Sequence, residues 1–141
     1  MPDVNILVAA FRRDHVDHAP ARSWLSAILD RQQPFAVAES TTQAFLRLVT
    51  NPRVLRDPDP MSDALPFVET LCRAPRCVRL RPGAEHLDRF FDLCRMPGLR
   101  GALVPNAWLA ALAIESGCRL ATRDRDFARF DGLDWYDPIA D

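Results

Sequence analysis

Two carboxylates stand close together in "RLATRDRDF", residues 119–127: Asp124 and Asp126, each beside an arginine, Arg123 and Arg125. They come directly after a short apolar run that ends in Thr122. Asp3 opens the chain in "MPDVNILVAA", and Glu39 follows the apolar run "FAVA" without a gap. Carboxylates gathered in one place repel one another, raise each other's pKa values and cost stability unless a cation joins them. A hard divalent ion such as Mg²⁺ or Mn²⁺ prefers such oxygen ligands. Once bound, it polarises a phosphoryl group and activates water. The competing reading is structural. Asp124 also suits the N-cap of a short "DFARF" turn, and Asp3 suits a frayed terminus. At this level both readings stand.

The elements that must position these acids are legible from spacing. Strand-like segments fall at 35–38 (FAVA), 77–80 (CVRL), 119–122 (RLAT) and 133–136 (LDWY). Between them run helical stripes: Ala21, Trp24, Leu25, Ile28 and Leu29; Leu65, Val68, Leu71 and Cys72; Leu87, Phe90, Phe91 and Cys94. The helix of Leu65, Val68, Leu71 and Cys72 is expected to start near Ser62, with Pro66 in its first turn. "LVPNAWLAALAI" is apolar nearly all round and predicts a buried helix, with Pro105 in its first turn and Asn106 at its N-terminal end. Ser40 and Gln43 fit a capping box that would start a helix after Glu39. Strand–helix alternation argues for a mainly parallel sheet covered on both faces. In such open sheets ligands collect outside the carboxyl ends of the strands, and the acids follow the strands.

The 141 residues suit one domain, 1–141, and the 48% apolar content suffices for a core. No apolar run approaches a membrane span and no leader pattern is present, so a soluble, cytoplasmic chain without membrane contact is expected. Cys72, Cys77, Cys94 and Cys118 form no C-x-x-C pair, which argues against zinc and for buried free thiols. His15, His18 and His86 are expected at the surface. All 18 basic residues are arginine. A GC-rich genome explains this, but the chemical consequence holds. A P-loop, a Schiff base and a lysine-assisted phosphoaspartate site are excluded. Arginine remains well suited to phosphate oxygens.

These residues resemble the PIN-domain family, in particular VapC-type toxins of toxin–antitoxin pairs. The likeness runs through "DVNILVAA" (3–10), "FLRLVTNPRV" (45–54), "LVPNAWLAALAIESG" (103–117), "LATRDRDFARF" (120–130) and "GLDWYDP" (132–138). It implies a three-layer α/β/α sandwich around a mainly parallel sheet of four to five strands. It implies an Mg²⁺- or Mn²⁺-dependent endoribonuclease, a homodimer, and a cognate VapB-type antitoxin that inhibits it. Carried onto this chain, Asp3 matches the first metal-binding acid, with Asn5 supporting it. Asp124 matches the acid of the T-x-D motif, oriented by Thr122. Asp126 is either a more distant ligand or a group that holds one.

Three departures stand out. The family's P-D-A motif reads Pro105-Asn106-Ala107 here, which keeps an oxygen ligand but removes a charge. The acid that many relatives place before "FLR" is Ala44, and Glu39 takes its place. Only Met1-Pro2 precede the first acid, so the first strand should be poorly paired at its start.

The resulting expectation is RNA cleavage by Asp3, Glu39, Asn106 and Asp124, with metal on Asp3, Asp124 and Asp126. Arg12, Arg13, Arg123 and Arg125 are candidate contacts to the RNA backbone, against the alternative of surface ion pairs. Trp108 is a candidate stacking surface, against the alternative of core packing. The rival function is a catalytically silent PIN-fold protein that binds antitoxin or RNA, favoured by Asn106.

Overall fold

The computed structural model describes residues 1–140. The helices are α1 (Val4–Phe11), α2 (His18–Asp30), α3 (Glu39–Val49), α4 (Met61–Arg73), α5 (His86–Cys94) and α6 (Leu103–Ser116). The strands are β1 (Phe35–Ala38), β2 (Cys77–Leu80), β3 (Leu120–Ala121) and β4 (Trp135–Tyr136). β1 pairs with β2 and β3 with β4, both in parallel.

The strands separate two helical layers. Successive strand side chains point to opposite faces. Accordingly Val37 packs with α1–α4, in a core that includes Leu7, Leu25, Phe45, Val68 and Leu71. Its neighbour Ala38 packs on the other side with Leu109, Leu112, Leu120, Phe127 and Phe130. The α/β/α arrangement expected from sequence is therefore present. Helix α6 is buried along Ala107 and Leu109–Ala113, as its all-round apolar sequence requires, and ends at Gly117 in the left-handed conformation (φ 62°). Among the described residues no helix is long and apolar enough to cross a membrane.

Several details differ from the sequence expectation. The first strand shrinks to one bridge, Pro2 to Ala121. Its bonds, Asp3 N–H to the Ala121 carbonyl (2.9 Å) and Ala121 N–H to the Met1 carbonyl (2.8 Å), both face β3. Pro2 directs its own backbone the other way, where proline has no N–H to donate. Hydrogen bonding among the described strands thus forms two parallel pairs instead of one continuous sheet of four or five strands. Helix α3 starts at Glu39 with Ala38 at its N-cap and no side-chain cap, so the capping box at Ser40 does not form. Pro66 is the sixth residue of α4 instead of lying in its first turn, so the exposed Ser62 carbonyl loses its helical donor. His86 is buried at 1% exposure, not superficial, with Nε2 3.0 Å from the Trp108 carbonyl oxygen. The four cysteines are free and half-buried.

Candidate functional site

Asp3 is at once the last residue of the bridging segment and the N-cap of α1. Its Oδ1 accepts the Val4 N–H at 2.6 Å. Its Oδ2 accepts the Thr122 hydroxyl at 2.7 Å and the Asn5 amide at 2.9 Å. Thr122 follows β3 and is wholly buried. Its Oγ1 also accepts from Asn5 Nδ2 (2.9 Å) and from the Asp124 backbone N–H (3.0 Å). Asp124 in turn caps the 3₁₀ turn Arg125–Arg129, its Oδ1 accepting the Asp126 N–H at 2.9 Å. Its Oδ2 accepts the Asn106 amide at 2.8 Å. One network therefore joins the N-terminus, the start of α6 and the segment after β3. The capping expected of Asp124 is present, and Asp3, which the structural reading put at a frayed terminus, caps α1 instead.

The electrostatics of this network are unusual for a paired set of acids. Asp3 is 6% exposed, and burial raises its pKa above the ordinary carboxylate range. The Thr122 and Val4 hydrogen bonds oppose that rise, and the Asp124 charge adds to it. Among the described residues no arginine or histidine forms an ion pair with Asp3 or Asp124. Their partners are neutral donors only. Beside them the buried Asn5 Oδ1 has no hydrogen-bond partner. Carboxylate, amide and hydroxyl oxygens, one of them unsatisfied, are the donor set a hard divalent cation prefers. The residues present fit Mg²⁺ or Mn²⁺, with two carboxylates where an aspartate at 106 would have made three.

The other sequence candidates lie differently. Among the described residues no three His, Cys, Asp or Glu side chains converge for a metal, so the set Asp3, Asp124 and Asp126 is not assembled. Asp126 accepts from Arg129 at 2.8 Å. Glu39 does follow β1, but its exposed carboxylate pairs with Arg81 at 3.2 Å. A strand end places a backbone; it does not aim the side chain. Arg12 is committed to Asp14 (2.8 Å) and Asp59 (2.6 Å), and Arg123 to Asp17 and Asp137. Both are held in ion pairs in this arrangement, Arg12 nearly buried and Arg123 at the surface. Arg13 and Arg125 are exposed.

A hollow of about 390 Å³ borders the network through Asp3 and Asn106. Ser40, Gln43, Ala44 and Arg47 of α3 line one wall; Val104, Pro105 and Trp108 of α6, with Phe90 of α5, line the other. Trp108 is half-buried, its ring edge-on to His86 and Phe90. Sequence reasoning singled out Trp108 but missed Arg47 and Phe90. The signal for Arg47 was the spacing 40, 43, 44, 47, which puts four residues on one helical face. A larger hollow of about 770 Å³, bordered by Arg12, Arg13, Asp57 and Asp59, contains none of the candidate site acids. The network, not cavity size, marks the candidate site.

A family model described as PIN domain matches residues 1–133. The chain is 41% identical over 128 residues to ribonuclease VapC25 of Mycobacterium tuberculosis, covering 91% of this chain and 90% of that protein. It is 38% identical over 137 residues to the VapC ribonuclease Mb2897 of Mycobacterium bovis, covering 97% and 93%. In fold it is similar to a chain in the crystal structure of VapBC2 from Rickettsia felis bound to a promoter DNA fragment. The TM-score is 0.70 at 16% identity, over 96% of each chain.

Proposed function

The chain belongs to the PIN-domain family, and we propose that it is a divalent-metal-dependent endoribonuclease toxin, held in check by a VapB-type antitoxin. The observation that carries this reading is the network of Asp3, Thr122, Asp124 and Asn106, where two carboxylates meet without an internal cation. Similarity to proteins named VapC ribonucleases supports RNA as substrate. A single domain over 1–141, working as a homodimer, completes the proposal.

In this reading Asp3 and Asp124 would hold Mg²⁺ or Mn²⁺, with Asn106 contributing an amide oxygen. When bound, the ion supplies charge to a phosphoryl oxygen and acidifies water. The protein's own contribution is orientation. Thr122 and Asn5 fix the Asp3 carboxylate, and the Thr122 hydroxyl also fixes the backbone that presents Asp124. Such supporting bonds are worth on the order of 10–100-fold in metal affinity or activity. Glu39 stays in the catalytic set. It precedes Ser40, which lines the hollow, and its exposed pair with Arg81 is worth about 0–1 kcal/mol, so it is released at little cost. Asp126 serves to hold Arg129 and the turn.

Asn106 is where the chain departs from an all-acid site. Its amide N–H stabilises the Asp124 carboxylate without cancelling its charge, and the missing third carboxylate lowers the demand for a cation. RNA cleavage with Mn²⁺ by the chain and by Asn106→Asp tests the reading. Cleavage by both is expected, stronger in Asn106→Asp by on the order of 10–100-fold. Cleavage by Asn106→Asp alone would make the chain as it stands a silent binding protein. Cleavage by neither would overturn the nuclease reading.

A further inference from the structure

We infer that the groove between α3 and α6 is a subsite for one nucleotide of single-stranded RNA next to the scissile phosphate, with Arg47 on a phosphate and the Pro105–Trp108 wall against the base. This rests on the ribonuclease reading above and extends it to how the substrate is held.

The two walls differ in chemistry. Ser40, Gln43 and Arg47 make one polar and cationic; Val104, Pro105, Trp108 and Phe90 make the other apolar and aromatic. The groove reaches Asp3 and Asn106, so an occupant is led directly to the acids. Its volume of about 390 Å³ is that of a small-ligand site. An unpaired nucleotide matches this arrangement, because it offers a flat π face on one side and an anionic oxygen on the other. A base-paired duplex offers no free base face.

Arg47 is exposed, and among the described residues it has neither a carboxylate partner nor a side-chain hydrogen bond. Its place in the last turn of α3 complements the helix carbonyls. That effect accounts for a cation in the turn but not for its position on the groove face.

The test is fluorescence anisotropy with a labelled single-stranded oligoribonucleotide, in chelator so that nothing is cleaved, across a salt series. Arg47→Ala should weaken binding about tenfold at low salt. It should also lower the slope of log affinity against log salt by about 0.7, the value for one phosphate contact on a single strand. Arg47→Lys, which keeps the charge, should restore the slope. Arg22→Ala, at an exposed arginine outside this groove, should leave it unchanged. In Mn²⁺-dependent cleavage Arg47→Ala should raise KM more than it lowers kcat. Equal losses from Arg47→Ala and Arg22→Ala would overturn the subsite and leave only diffuse attraction. Weakened antitoxin binding with unchanged RNA binding would also overturn it and put a protein segment in the groove. If the unaltered chain neither binds nor cleaves RNA, the ribonuclease reading itself falls, an outcome distinct from the other two.

Discussion

Two sets of carboxylates stand at the strand ends, and the molecule treats them in opposite ways. Glu39 and Asp126 are exposed, and each is neutralised by an arginine, Arg81 and Arg129. Asp3 and Asp124 are held by a hydroxyl, two amides and backbone N–H groups, with no basic side chain in ion-pair range among the described residues. An acid with its own arginine has its charge matched within the chain. An acid ringed by neutral donors is oriented but not neutralised, and its charge remains available to an external cation. Position after a strand is common to both sets; only the partners separate them.

The largest expected effect comes from removing the hydroxyl that joins the second set. Thr122→Val keeps the shape but leaves Asp3 Oδ2 and the Asp124 N–H short of a partner. It should destabilise the chain by about 2–4 kcal/mol in denaturant unfolding. A loss below about 0.5 kcal/mol, less than an ordinary hydrogen bond contributes, would show that the network is not what fixes these acids.

Asn106→Asp comes next. It replaces a donor to Asp124 with a third carboxylate, so the metal-free chain should lose about 1.5–3 kcal/mol. Mn²⁺ should then raise its Tm by more than it raises that of the unaltered chain. An equal metal-induced shift in the two proteins would mean that residue 106 lies outside the ligand set.

The pH dependence follows from Asp3. Its folded pKa is raised, chiefly by burial, so the folded chain binds this proton more tightly than the unfolded chain. The associated stability is full below the ordinary carboxylate value of about 3.9. It is lost as pH rises through the raised value. Asp3→Asn should therefore flatten this part of the metal-free stability profile, and parallel profiles would contradict the assignment. The smallest effects belong to the exposed set. Glu39→Gln and Asp126→Asn should each change stability by less than about 1 kcal/mol. They part in cleavage, where Glu39→Gln loses activity and Asp126→Asn retains it. Equal retention would remove Glu39 from the catalytic set.

Much of the framework was legible before any coordinates. The segments 35–38 and 77–80 are strands with the expected bounds, and the stripes at Trp24–Leu29, Leu65–Cys72 and Leu87–Cys94 lie on helices. Such signals depend on local periodicity, which a linear sequence carries. The convergence of Asp3, Asn106 and Asp124 was legible for the same reason, through strand ends and a helix start. What was not legible depends on side-chain aim and on competition among partners. Glu39 turns to Arg81, and Asp126 to Arg129, because the nearest cation is an arginine of the same chain. His86 is buried because α5 packs it under Trp108, a contact 22 residues away in sequence. Arg47 was overlooked because an arginine in a last helical turn is ordinary; its meaning comes from the wall opposite.

Asp3 and Asp124 are proposed to form the cation site of this fold. A crystal of the unaltered chain soaked in Mn²⁺ and measured for anomalous scattering tests it most directly. The expected result is one anomalous peak within about 2.0–2.3 Å of carboxylate oxygens of both residues, a distance typical of hard divalent ions on oxygen. A peak seated instead on Asp126, or none near Asp3 at saturating Mn²⁺, would contradict it.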